Sequence, residues 1–267
     1  GATIVSLGTT LPELMFSSSA AAQGYNDMSI GNAIGSIICN TALIAGLIQI
    51  IRPTELDRAA FNFSSKRFLI YAGLYCTIAV VFGQIPRWGG AFLLVLMIFY
   101  TMKIIKQPSS NIQNGTDDKH SSTIKEIIFL IIEAVSLYIG ADLLVDNGTV
   151  IARWLSVPER VISLTLVALG TSLPELVTAI SALKKGHSSL SLGNILGANT
   201  LNLLWVGGVS SLIHPLHFTK SILVLDIPVM LAVTLILCVP AMISGKMKRW
   251  QGAVLLTIYI GYLIYLF

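Results

Sequence analysis

The chain has 267 residues, of which 54% are hydrophobic and only 11% are charged. A soluble domain carries about 25% charge, so too few polar side chains remain to coat a water-exposed surface, and lipid must solvate much of the chain. The net charge of +4 is scattered over short loops, which excludes a basic nucleic-acid patch.

A membrane-spanning helix needs about 20 mostly apolar residues. Nine such segments follow one another, over about 1–23, 28–50, 67–84, 88–106, 125–145, 160–184, 190–212, 219–243 and 248–267. The chain opens at Gly1, already inside an apolar run, with no signal-peptide pattern. The first segment carries a polar stripe of Ser6, Thr9, Thr10, Glu13 and Ser17 at helical spacing, with Pro12 inside it. The second carries Asn32, Ser36 and Asn40 four residues apart. The fourth begins with Trp88 beside Arg87, an interfacial anchor.

A polar stretch over 107–123, with Pro108, Asn114, Gly115, Asp117 and Asp118, is a linker too short to fold as a domain. The sixth segment repeats the first with Thr171, Ser172, Pro174, Glu175 and Thr178, and the seventh repeats the second with Asn194, Ala198 and Asn202. Glu133, Asp142 and Asp226 have no acidic counterpart elsewhere in the chain, and Asp142 and Asp226 read as facing loops or water near helix ends. His214 and His217 flank Pro215 in an interfacial loop. Cys39, Cys76 and Cys238 lie in apolar runs without metal-ligand spacing and read as core.

The two halves of the chain repeat at a fixed offset of 162. Gly8, Thr9, Leu11, Pro12 and Glu13 recur as Gly170, Thr171, Leu173, Pro174 and Glu175. Gly31, Asn32, Gly35 and Asn40 recur as Gly193, Asn194, Gly197 and Asn202, and Arg87, Trp88 and Gly90 as Arg249, Trp250 and Gly252. Residues 1–106 therefore form a first repeat and 124–267 a second. The second repeat has five helices and the first shows four, so the partner of segment 125–145 is expected before residue 1. An odd number of helices per repeat turns the copies over, giving an all-α fold of inverted repeats with its site at the midplane. Thirteen of the 17 Lys and Arg residues fall on the linker's side. The positive-inside rule then puts the linker in the cytoplasm and the C-terminus outside, with the cell membrane as the location.

Chemistry concentrates in the paired segments Gly8-Thr9-Thr10-Leu11-Pro12-Glu13 and Gly170-Thr171-Ser172-Leu173-Pro174-Glu175. Each proline removes an amide donor, so a carbonyl one turn back seeks another partner. Two buried acids cost about 5–7 kcal/mol if nothing compensates. Carboxylates, carboxamides, hydroxyls and freed carbonyls offer only oxygen, which suits calcium and sodium. No nucleophile–base pair marks an enzyme, and nothing points to a cofactor or a protein partner.

These motifs resemble the two alpha repeats of the calcium/cation antiporter superfamily, most closely its sodium/calcium exchanger branch, through G-T-[ST]-L-P-E followed by G-N-x-x-G-[SA]. The resemblance implies exchange of sodium for calcium by alternating access, typically three sodium ions against one calcium. It implies that Glu13 and Glu175 ligate calcium and share sodium sites, with backbone carbonyls of Thr9, Thr171, Ser6 and Ala168 as further ligands. Hydroxyls of Thr10, Ser172 and Ser36 would serve sodium, and Asn40 and Asn202 would line the centre. Ala198 stands where many members have Ser, which bears on the sodium count. Asn202 stands where potassium-dependent members have Asp, which implies potassium independence. A proton/calcium antiporter using the same two Glu, and a cation channel or ion-sensing membrane protein, are the alternatives.

Overall fold

A computed structural model of the chain describes residues 2–105, 123–186 and 188–267, nearly all of them helical. The expected linker falls almost wholly outside the described residues, as does the side chain of Glu133.

The first expected span is divided into α1 (Ala2–Thr9) and α2 (Leu11–Ala22) at Thr10, which stays near helical dihedrals (φ −84, ψ −2). Pro12 lies in the first turn of α2, where a missing amide hydrogen breaks no helical bond. α3 (Asn26–Ile38) runs through a π-helical segment, Cys39–Ile44, into α4 (Ala45–Ile51). A two-residue strand, β1 (Thr54–Glu55), precedes α5 (Arg58–Phe82). The Asp57 carboxylate accepts from the amides of Ala59 and Ala60, which starts α5 nine residues before the sequence expectation. Gly83 ends it at φ 63. β2 (Gln84–Ile85) and α6 (Arg87–Ile105) follow.

The second half opens with α7 (Thr123–Leu155), longer than the expected 125–145 because no breaker intervenes before Ser156 (φ 56) and Pro158. Next come α8 (Glu159–Ile162), a π-helical segment Ser163–Val167, and α9 (Ala168–Thr171). A break at Ser172 leads to α10 (Leu173–Lys184). α11 (Ser188–Leu201) passes through a π-helical segment Asn202–Val206 into α12 (Gly207–Ile213). The chain ends with β3 (Leu216–His217), a π-helical segment Ile222–Asp226, α13 (Ile227–Ser244), β4 (Lys246–Met247) and α14 (Arg249–Leu266).

Five stretches among the described residues are long and apolar enough to cross a membrane: Asn26–Ile51, Arg58–Phe82, Arg87–Ile104, Ser189–Ile213 and Ile222–Ser244. A sixth is the pair Glu159–Thr171 and Leu173–Lys184, bent by 43° at the Ser172 break. The expected spans over 1–23, 125–145 and 248–267 correspond to α1 with α2, to α7 and to α14. Polarity is arranged for lipid: Ile243 and Ile264 are more than 70% exposed, while Glu13, Asn40, Glu175 and Asn202 are fully buried. Trp88 and Trp250 are both exposed, as interfacial anchors require. The three cysteines are free and buried, as expected.

The offset of 162 reappears in the tertiary contacts. β1 pairs with β4 and β2 with β3, each antiparallel. Adding 162 turns β1 into β3 and β2 into β4, so the second pairing is the first with the halves exchanged. Gly46 packs against Gly252, and Gly208 against Gly90, by the same rule. Gly35 meets Ala168 while Gly197 meets Ser6. A Cβ on Gly35 would stand 2.8 Å from Ala168 Cβ and 2.9 Å from the Leu164 carbonyl. Backbone cannot yield there, so Gly35→Val is expected to lower stability by about 1–3 kcal/mol. Gly193→Ala is the control, because a Cβ on Gly193 meets nothing within 4 Å. Thermal unfolding in detergent checks the pair, and equal melting temperatures would refute the close-packing account.

Candidate cation site

The two broken helices meet the two helices that follow them through buried carboxamides. Asn32 Nδ2 donates to the Glu13 carbonyl (3.2 Å) and to Ser17 Oγ (2.9 Å), which ties α3 to α2. Its Oδ1 therefore faces the other half, where it accepts from Thr171 Oγ1 at 3.1 Å. Ser36 Oγ lies 3.3 Å from the same Thr171 hydroxyl. Asn194 does the equivalent work in the second half. Its Nδ2 donates to Thr178 Oγ1 (3.3 Å), and its Oδ1 accepts from Ser6 Oγ (2.8 Å). Each asparagine thus fastens its own half and receives a hydroxyl from the other.

Glu13 and Glu175 are both fully buried. Ser172 Oγ donates to Glu13 Oε1 at 3.4 Å, a hydroxyl from one half on the acid of the other. Glu13 Oε2, both Glu175 oxygens, Asn40 Oδ1 and Asn202 Oδ1 are buried without a hydrogen-bond partner. The Thr9 hydroxyl lies beside the Glu175 carboxyl and donates to the Ser6 carbonyl at 3.4 Å. Neither acid is ion-paired: among the described residues the ion pairs are Arg160–Asp226 and Lys246–Glu55. Buried polar groups ordinarily find partners, and a partnerless carboxylate in a dry interior is costly. Five such oxygens on four residues stand without a partner, and all are hard, cation-type ligands.

Asn40 and Asn202 both lie in the opening turns of π-helical segments. A π turn widens the helix and interrupts regular backbone pairing, and such turns concentrate at functional positions. α10, which carries Glu175, packs on the segment Cys39–Ile44, and α2, which carries Glu13, packs on Asn202–Val206. The crossing packs each acid-bearing helix on the π-helical segment that carries the other half's carboxamide.

Of the residues expected at the site, Thr9, Thr10, Glu13, Ser36, Asn40, Thr171, Ser172, Glu175 and Asn202 are all buried here. The carbonyls of Ser6 and Ala168 are less free than expected. Ser6 O accepts from the Thr10 amide (3.0 Å) and the Thr10 hydroxyl (2.7 Å). Ala168 O accepts from the Ser172 amide (3.1 Å) and Thr171 Oγ1 (3.4 Å). The break keeps those bonds because Thr10 and Ser172 stay close to helical dihedrals.

The expectation that Asp226 faces water is corrected. Asp226 is fully buried, paired with Arg160, and accepts from the Tyr262 hydroxyl at 2.9 Å. Asp142 is partly exposed, but it lies in the middle of α7 rather than near a helix end, accepting from Ser19 Oγ (3.0 Å) and Gln23 Nε2 (2.8 Å). Asn199 was missed altogether: it is buried and hydrogen-bonded to both Asn40 and Thr41. It falls off the spacing-of-four stripe, and its counterpart at the offset is Ile37. A further carboxamide beside Ala198, with no polar residue at its offset partner Ile37, was the available signal.

The profile of the family described as "Sodium/calcium exchanger protein" matches residues 1–106 and 125–267. The chain belongs to the sodium/calcium exchanger family. This family member is 31% identical to the sodium/calcium exchanger MaX1 of Methanosarcina acetivorans, a match covering all of this chain and 88% of the relative. It is 36% identical to an uncharacterized membrane protein of Methanocaldococcus jannaschii, over 97% of this chain and 83% of the relative. Among solved structures, it superposes on the sodium-calcium exchanger NCX_Mj soaked with sodium and strontium at a TM-score of 0.76. That match has 34% identity and covers 100% of this chain and 86% of the other. The family and the apolar helices make this exchanger-family chain an integral, multi-pass membrane protein.

Proposed function

We propose that this chain exchanges sodium for calcium across a membrane by alternating access, with Glu13 and Glu175 as shared ligands of the transported ions. The observation that carries this reading is the set of five partnerless buried oxygens contributed by Glu13, Glu175, Asn40 and Asn202. All are hard ligands, and two negative charges match one divalent cation or a pair of sodium ions. Hydroxyls of Thr9, Thr10, Ser36, Thr171 and Ser172 complete the coordination as ions exchange. Carbonyls of Thr9 and Thr171 contribute from the helix breaks. Those of Ser6 and Ala168 contribute when the adjacent threonine hydroxyls turn away. The name of the relative from Methanosarcina acetivorans and the match to NCX_Mj support the choice of ions.

The exchanged pairings of β1 with β4 and β2 with β3, and of the glycine contacts, support two inverted repeats over 1–106 and 124–267, and the Lys and Arg distribution supports a cytoplasmic linker over 107–123 between them. α1 with α2, α7 and α14 are further spans in this reading, which makes nine. The C-terminus faces outside, and the membrane is the cell membrane.

The deciding experiment is uptake of calcium-45 by proteoliposomes holding the full-length protein, driven by an outward sodium gradient. Uptake that follows a pH gradient without sodium would mark a proton/calcium antiporter. Flux with no counter-ion requirement would mark a channel. Exchange is also expected to persist when potassium is replaced by choline at fixed sodium and fixed potential. Asn202→Asp adds a third negative charge near Glu13 and Glu175, and close like charges require a further cation or a proton. That variant is therefore expected to make calcium flux depend on potassium or on pH. A large loss of flux in choline by the unmutated protein would overturn potassium independence.

A further inference from the structure

Asn40 and Asn202 are equivalent at the offset of 162, yet they are held differently. Asn202 has neither amide atom hydrogen-bonded. Asn40 Nδ2 donates to Asn199 Oδ1 at 3.2 Å, which leaves its Oδ1 as the unpartnered atom. Asn199 Nδ2 donates in turn to Thr41 Oγ1 at 2.8 Å. All three side chains are fully buried. The equivalent places in the other half are Ile37 and Leu203, both apolar and buried, so the polar clamp exists on one side of the centre only.

A carboxamide offers a cation either an acceptor oxygen or a repelling NH2 group. Which one it shows is decided by what holds the other end. We propose that Asn199 is a positioning residue for ion binding: by accepting the Asn40 amide hydrogen it turns Asn40 Oδ1 toward the transported cation, while Asn202 stays free to rotate. Thr41 closes this chain: its Oγ1 accepts from the Asn199 NH2, and the Asn199 oxygen accepts from Asn40. The centre then has one fixed carboxamide ligand and one adaptable one. A fixed ligand lowers the ordering cost of binding. An adaptable one fits a site that takes ions of two charges in turn. The inference rests on the proposed reading of Asn40 as a lining residue of the cation site.

The test is a double-mutant cycle on the full-length protein in proteoliposomes, reading the calcium KM and the maximal rate separately. Asn199→Leu is expected to raise the calcium KM about ten-fold, equivalent to about 1.4 kcal/mol, with a much smaller change in maximal rate. Asn40→Ala should raise it by a similar factor. The double variant should be no worse than Asn40→Ala alone, because Asn199 would have nothing left to orient. Asn199→Leu combined with Asn202→Ala should instead show both effects in full. Asn199→Ser, too short to span the gap, replaces the leucine variant if that one does not fold. Full additivity of Asn199→Leu with Asn40→Ala, or an unchanged calcium KM in Asn199→Leu, would overturn the proposal. Glu175→Gln separates the two levels. If it abolishes exchange while the Asn40 cycle is additive, only the positioning role falls. If it leaves exchange intact, the cation site itself is misplaced.

Discussion

Glu13→Gln and Glu175→Gln are each expected to lower calcium exchange by at least about 100-fold while leaving the protein folded and inserted. Glutamine keeps the shape and an acceptor oxygen, so packing is nearly unchanged, but it removes one of two negative charges. A unit charge pair about 4 Å apart is worth about 4 kcal/mol at an effective dielectric near 20, and about 2.7 kcal/mol already corresponds to 100-fold. Glu13 keeps one hydrogen bond, from Ser172, whereas Glu175 has none. Both are fully buried and neither has an ion-pair partner among the described residues. Neutralising either acid should also raise thermal stability in the absence of ions, because a partnerless buried charge is removed. The measurements are calcium-45 exchange and thermal unfolding in ion-free detergent. A glutamine variant with normal exchange would show that the second carboxylate is not a ligand.

The second large effect concerns stability rather than transport. Arg160→Met leaves Asp226 buried with only the Tyr262 hydroxyl as partner. Removing one member of a buried ion pair costs about 3–5 kcal/mol, because the remaining charge is neither solvated nor matched. The double variant Arg160→Met with Asp226→Leu removes both charges and is expected to recover most of that loss. The pair joins the start of the broken span at α8 to the segment before α13, so its loss frees the first part of the span whose second part, α10, carries Glu175. Unfolding in detergent, compared across the two single variants and the double one, reads this directly. A double variant as unstable as Arg160→Met would mean that the pair contributes packing alone.

Much of this protein is written in local pattern. Apolar runs of about 20 residues with few charges demand lipid, wherever the helices later pack. The Pro12 and Pro174 segments break their helices because proline is tolerated in a helix's first turn and not in its interior, and the structure puts both breaks two residues before the proline, at Thr10 and Ser172. The offset of 162 is a property of residue order alone. It singled out Glu13, Glu175, Asn40 and Asn202 without any knowledge of contacts.

What the residue order left open are meetings between faces. Asn199 touches Asn40 across 159 positions, and Arg160 meets Asp226 across 66. Periodicity says which residues share a face but carries nothing about the face opposite, so Asp226 read as a solvent-facing acid and Asn199 went unnoticed. The π-helical turns at Cys39–Ile44 and Asn202–Val206 were equally invisible. An extra residue in a turn barely changes the spacing of side chains in sequence. It is held in place by close packing, here of α10 and α2 against those turns, and packing is decided only when distant segments come together.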